Sequence, residues 1–319
     1  MSDLAAFLSA CISSPALLTS ACALAVMPPL AWLAMRALTP SIARMTDDPG
    51  WQAALAAGAA VLPGALFLTI GAATLRGGWD SACLDFVSGR VLYGAIAALT
   101  AFGFVRAVVL AARRSRDVAL LVRGSIAPSS RLRGAGDAAG MRIREIAAAA
   151  PVVLLAGFVR PVVLVSSAAL ERVNDAELLA AIRHEAAHAR RGDLVCAAVV
   201  TFIGDLIPLP AGTLIALHRR AREFAADAHA TRHADPCDLA SAMLSLARPA
   251  TSVSSIAAFA DAGTVRDRLG VLLATDPPRA SRARRFVLTG ALAATFALGA
   301  APVGVAIVLG FTCAMAMPS

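Results

Sequence analysis

Apolar stretches at residues 15–38, 52–75 and 91–112, with a fourth at 286–312, each come close to the roughly 20 residues that a helix needs to cross a bilayer. Segments of that length satisfy their backbone only as helices, so they dictate a mainly α chain before any other feature is weighed. With 319 residues, 58% hydrophobic content and a mean hydropathy of +0.72, the chain is too apolar for an ordinary soluble domain. The expectation is a multi-pass membrane protein. No Lys or Arg precedes Arg36 and Asp3 is acidic, so the first stretch lacks the positive leader of a signal peptide and reads as a retained span. Pro28, Pro29 and Pro63 mark kinks of the kind membrane helices tolerate, and Trp32, Trp51, Trp79 and Tyr93 fall near span ends as an aromatic belt would.

The formal charge of +8 is carried by arginine alone. These arginines border apolar stretches instead of lining one recognition face, which argues against nucleic acid as a partner and for the positive-inside rule. Arg113, Arg114, Arg116, Arg123, Arg131 and Arg133 follow the third span. Residues 113 onward are therefore expected in the cytoplasm and the N-terminus outside. Arg106, inside the third stretch but near its end, reads as snorkelling. The six cysteines are scattered and form no CxxC pair, so neither a disulfide framework nor a cysteine metal site is indicated.

Residues 182–193 read IRHEAAHARRGD and contain an HExxH run, His184, Glu185 and His188. On a helix the two imidazoles share a face and aim at one point, where a zinc ion could sit with Glu185 as general base. Asn174 and Glu177 resemble a capping box, Leu178, Leu179 and Ile182 recur at helical spacing, and Gly192 stands where the helix would end. Alone, HExxH also arises by chance on solvated helices. Context comes from residues 222–230, REFAADAHA, where Glu223 could be a third ligand, leaving the fourth position to water. Asp227 could orient a ligating imidazole from behind. All five histidines (His184, His188, His218, His229 and His233) fall in this part of the chain.

The organisation expected is three spans in 1–112, a small α+β zincin-like metallopeptidase domain on the cytoplasmic side in 113–285, and a last span at 286–312. Residues 125–140 read as a linker, 141–149 and 151–167 as short strands broken at Gly157 and Arg160-Pro161, and 236–248 and 264–274 as amphipathic helices. Residues 194–217 pose a topological problem, being long enough to span yet flanked by both ligand motifs. A single crossing would separate His188 from Glu223 by the whole membrane. The stretch must double back as a re-entrant or interfacial hairpin, with Gly204, Asp205, Pro208, Pro210 and Gly212 near its turn.

HEAAHARRGD, with the upstream GFVRPVVLVSSAAL (157–170) and the downstream REFAADAHA, resembles the BlaR/MecR-type membrane metallopeptidases, the antirepressor group of gluzincins. The likeness covers about residues 141–275. It implies zinc held by His184, His188 and Glu223, catalysis by Glu185, and a proteolytic site on the cytoplasmic side of a bacterial inner membrane. The implied partners are the lipid bilayer and a protein substrate such as a transcriptional repressor. Ser166 and Ala226 depart from residues common in that group, proline and cysteine. His218, His229, Arg219 and Arg222 are candidates, by nearness in sequence, for stabilising an oxyanion. Two alternatives stand beside this reading: an HtpX-type membrane quality-control protease, and a non-catalytic signalling or scaffold protein whose metal site is structural, closed by a fourth ligand from His218, His229 or His233, or empty.

Overall fold

The apolar runs fold as helices longer than the stretches that specify them: α1 (Pro15–Ala43), α2 (Pro49–Trp79) and α3 (Val87–Arg123). The computed structural model describes residues 15–45, 48–79, 87–207, 212–247 and 262–273, with isolated positions between 286 and 297. Three helices, over Cys22–Ala43, Pro49–Leu75 and Tyr93–Arg123, are long and apolar enough to cross a membrane. The expected last span at 286–312 lies outside the described residues apart from those isolated positions, as do Pro208 and Pro210. Among the described residues the chain is mostly helical, with one sheet of three short strands.

The second helix is the hub. Its Ala53, Ala56, Ala59 and Ala60 are buried, and α1, α3 and two later helices all pack on it. Small side chains allow helices in a low-dielectric surround to approach closely, where dispersion and backbone dipoles count most. By contrast α1 and α3 turn much of their apolar surface outward, Leu30, Leu33, Phe102, Phe104 and Val105 among it. That is the distribution a lipid-facing helix requires, since tails solvate these side chains and water does not.

The third helix continues for eleven residues past the end expected at 112, as far as Arg123. Beyond it, the segment 125–140 is not a plain linker. Helix α4 (Ser130–Ala139) forms there because Ser129 caps its first turn by accepting from the Leu132 amide. Gly140, left-handed at φ 67°, closes the other end, and Leu132, Gly136 and Ala139 form its buried stripe. Its Gly and Arg content, read as loop composition, conceals that apolar spacing.

Three strands follow: β1 (Ile143–Ile146), β2 (Val153–Ala156) and β3 (Val162–Ser166). The sheet order is β1-β3-β2, with β1 parallel and β2 antiparallel to β3. The central strand, VVLVS, is buried at every position, as its continuous apolar sequence demands. Ser166 departs from the common proline of the resembled group. It caps helix α5 (Ser167–Arg172) by accepting from Ala169 N, and it also accepts from Val152 N. Helix α6 (Asp175–Arg191) starts with the full capping box between Asn174 and Glu177 and ends at left-handed Gly192. One sheet face, through Val163 and Val165, packs with Leu178 and Ile182 of α6, while Leu121 and Val122 from the end of α3 pack on the other.

After Gly192 comes a short apolar helix, α7 (Asp193–Gly204), and then α8 (Gly212–Ala230), α9 (Pro236–Leu246) and α10 (Ala262–Leu272). Both α7 and α8 pack on α2, and α8 also packs on α6. At 12 residues α7 is about 18 Å long, too short to cross a hydrocarbon core. Its carbonyl end lies against two glycines: a Cβ on Gly64 would collide with the Ile203 carbonyl, and one on Gly103 with that of Leu206. Arg106, read from sequence as snorkelling, has a partner on another helix. Its guanidinium donates to the Asp205 carbonyl at the end of α7, and Arg114 pairs with the Asp205 carboxylate at 2.5 Å. Cation and carbonyl complement each other here because the helix dipole concentrates negative charge at that terminus.

Replacing Gly64 or Gly103 by valine should therefore displace α7 and destabilise the protein by about 1–3 kcal/mol. Gly94, with nothing within 4 Å of its missing Cβ, is the control. Thermal unfolding in detergent should drop for the first two variants and change far less for Gly94→Val.

Candidate metal centre

His184 and His188 lie one turn apart on α6, and both rings turn toward α8. Their Nε2 atoms are 3.2 Å apart. Glu223 of α8 approaches them with Oε2 3.3 Å from His184 Nε2 and Oε1 3.5 Å from His188 Nε2. Bonds of about 2.0–2.1 Å in tetrahedral geometry set donor atoms about 3.3 Å apart, so these three side chains stand at the spacing that one ion requires. Together they form a group that could hold a metal ion.

Each imidazole is oriented from behind by a carboxylate. His188 Nδ1 hydrogen-bonds to Asp193 Oδ2 at 2.8 Å, and His184 Nδ1 lies 2.9 Å from Asp227 Oδ1 without a well-aligned hydrogen bond. Partners of this kind assign the ring protons to Nδ1 and leave both Nε2 lone pairs facing Glu223. A point flanked by the Glu223 and Asp227 carboxylates favours positive charge, whether a proton on an imidazole or a metal ion. The local electrostatics register that demand. Burial opposes protonation of His184, yet Asp227 and Glu223 outweigh it and raise its pKa to about 10. Burial likewise opposes the charge on Glu223, but the two imidazoles hold its carboxyl well below the usual range.

Glu185 stands apart from this group. It lies on the same helix, and burial raises its pKa, with only partial relief from the two histidines and from the backbone amide of Leu155 in β2. A carboxylate raised toward neutrality next to a metal position has the proton affinity that a general base needs. Among the described residues β2 pairs only with β3, so Leu155 belongs to an edge strand and that edge of the sheet borders the same site.

Two participants were not assigned from sequence. Asp193 reaches His188 because left-handed Gly192 breaks α6 from α7 and turns the chain back, and Arg222 steadies it by donating to the Asp193 carbonyl at 3.0 Å. Its signal was visible, an acid immediately after the glycine that ends the motif helix. Arg268, on α10, forks onto Asp227 with Nε–Oδ2 and Nη2–Oδ1 both 2.7 Å, and its Nη1 donates to Glu223 Oε2 at 3.0 Å. No spacing rule connects an arginine in VRDRLG to a pair of acids so far back in the chain. The other candidates fall elsewhere: His218 Nδ1 bonds to the Ala53 carbonyl at 2.9 Å, and the His229 and His233 rings pack edge to face on each other. None of the three joins the metal group, so among the described residues the group has three protein ligands and no fourth.

Searches against protein-family models and against curated proteins find no match to the chain.

Metal content reads this geometry directly. His188→Ala and Glu223→Gln should each purify without stoichiometric metal, whereas Asp193→Asn should retain it with affinity lowered about 10- to 100-fold, measured by competition with a chelating dye.

Proposed function

We propose that the chain is a zinc metalloendopeptidase of the membrane, with His184, His188 and Glu223 as ligands and Glu185 as the catalytic base. The observation that carries this reading is the three-residue group with a half-buried carboxylate of raised proton affinity next to it and outside it. Two imidazoles and one carboxylate match the ligand set of a catalytic zinc site, and a site with three protein ligands keeps a coordination position for water. When bound, zinc supplies a Lewis acid and lowers the pKa of a coordinated water to about 7. Glu185 takes the proton from the attacking water and returns it to the leaving amine. The free edge of β2 supplies backbone groups on which an extended peptide can lie as an added strand, bringing its carbonyl to the site.

Within that class the reading favoured is the BlaR/MecR-type antirepressor peptidase, acting on a cytoplasmic or membrane-proximal protein such as a repressor, in a bacterial inner membrane with the site on the cytoplasmic side. The arginine pair and Asp193 after HExxH support this group over an HtpX-type protease, and Asp193 earns its place by orienting His188. A structural site would need a fourth protein ligand, and His218, His229 and His233 all have other partners.

Glu185→Gln should keep its metal and lose cleavage. Comparing new protein termini in cells that carry the parent chain with those in cells that carry Glu185→Gln should reveal termini that depend on the carboxylate. Equal turnover by the two proteins would refute the role given to Glu185.

A further inference from the structure

The β2–β3 hairpin ends in residues that the metal centre does not use. Gly157, at φ 87°, turns the chain, and the turn presents Phe158 and Val159 outward, 54% and 92% exposed. No other large apolar side chain among the described residues is as exposed as Val159. Leaving such a pair in water forfeits the hydrophobic gain that folding seeks elsewhere, so its surroundings decide what it is for.

Contacts fix which end of the sheet carries this tip. Val163, just after the turn, donates to the Arg142 carbonyl, and Ala139 at the end of α4 accepts from Arg190. The tip thus lies at the C-terminal end of α6, where Gly192 leads into the apolar helix α7. The opposite end of the sheet meets the end of α3, through the bridge between Ile126 and Glu145.

Two lengths give its height. Helix α3 climbs about 14 Å from Arg114 to Arg123, and strand β3 from Val165, which pairs with Glu145, back to Val162 descends about 10 Å before the turn that carries Val159. Independently, α7 rises about 18 Å from its end beside Gly103 and Arg106, which returns Gly192 to about the level of Arg116. Both routes bring the tip to the height of Arg113, Arg114 and Arg116, the arginines that follow the apolar part of α3. Exposed Arg142, Arg160 and Arg190 lie at the same end, against the acid Asp137.

We propose that this hairpin tip is an interfacial anchor: Phe158 and Val159 enter the boundary between headgroups and acyl chains of the bilayer that holds α1 to α3, and Arg142, Arg160 and Arg190 pair with anionic phospholipid phosphates. An apolar wedge ringed by arginine is the composition that binds at such a boundary. The anchor stands whether or not the site cuts peptides. If it does, the free edge of β2 runs beside the membrane surface, and the protein segment presented to Glu185 is one that lies within a few residues of a bilayer.

The full chain in vesicles of phosphatidylethanolamine and phosphatidylglycerol tests this. Val159→Trp adds one indole to the parent spectrum, and Ala147→Trp, at an exposed position on the far end of the sheet, is the control. With lipid brominated near the top of its acyl chains, the added emission of Val159→Trp should lose most of its intensity, while that of Ala147→Trp stays unchanged and is quenched by aqueous iodide. Iodide quenching of Val159→Trp without bromolipid quenching overturns the proposal. Protection from both quenchers overturns it too, because a protein surface would then cover the tip.

Discussion

Two imidazoles and a carboxylate carried by two separate helices converge to 3.2–3.5 Å of one another: His184 and His188 of α6 and Glu223 of α8. The remaining architecture can be understood as what this convergence demands. Since α6 and α8 are separated by an apolar detour, the detour must return to its starting side. The return requires α7 to be short, its carbonyl end to be neutralised, and its backbone to press against α2 and α3. Arg106 meets the second demand and the bare Cα atoms of Gly64 and Gly103 the third. Satisfying backbone polarity inside an apolar surround is costly enough that these devices cannot be ornamental.

How much of this was legible in the sequence follows from the range of each signal. The capping box at Asn174 and Glu177, the stop at Gly192 and the strand breaks at Gly157 and Arg160-Pro161 are local chemistry, written within four residues, and the elements follow them closely. The HExxH spacing and the REFAAD run named the group that the fold brings together. What escaped had one of two causes. Helix α4 was hidden because glycine and arginine dominate its composition, while its buried stripe rests on only Leu132, Gly136 and Ala139. The partner of Arg106 was missed because snorkelling is argued from one helix, whereas the Asp205 carbonyl lies at the end of another.

Arg268 is the sharpest case of the second kind. A planar guanidinium is suited to bridge carboxylates four residues apart on a helix face, for it can offer a two-pronged fork to one and a third N–H to the other. Without it Glu223 and Asp227 would repel each other across one turn of α8. Burial disfavours the charge on Arg268, but both acids stabilise it, so the cation and its two partners maintain one another. With Asp193 of α7 behind His188, the metal group is framed from four helices, α6, α7, α8 and α10, although only two supply its candidate ligands.

Helix α3 touches nearly every level of this arrangement. It is continuous over 37 residues, about 55 Å, from Val87 to Arg123. Partway along it grips Asp205 through Arg106 and Arg114, and at its end Leu121 and Val122 lie under the sheet. A rigid rod fastened at two such points acts as a lever: a tilt imposed at one membrane face displaces the floor of the sheet and the root of α7 in the same stroke. Glu185, on α6 and bonded to an amide of that sheet, stands between the two places that the stroke moves.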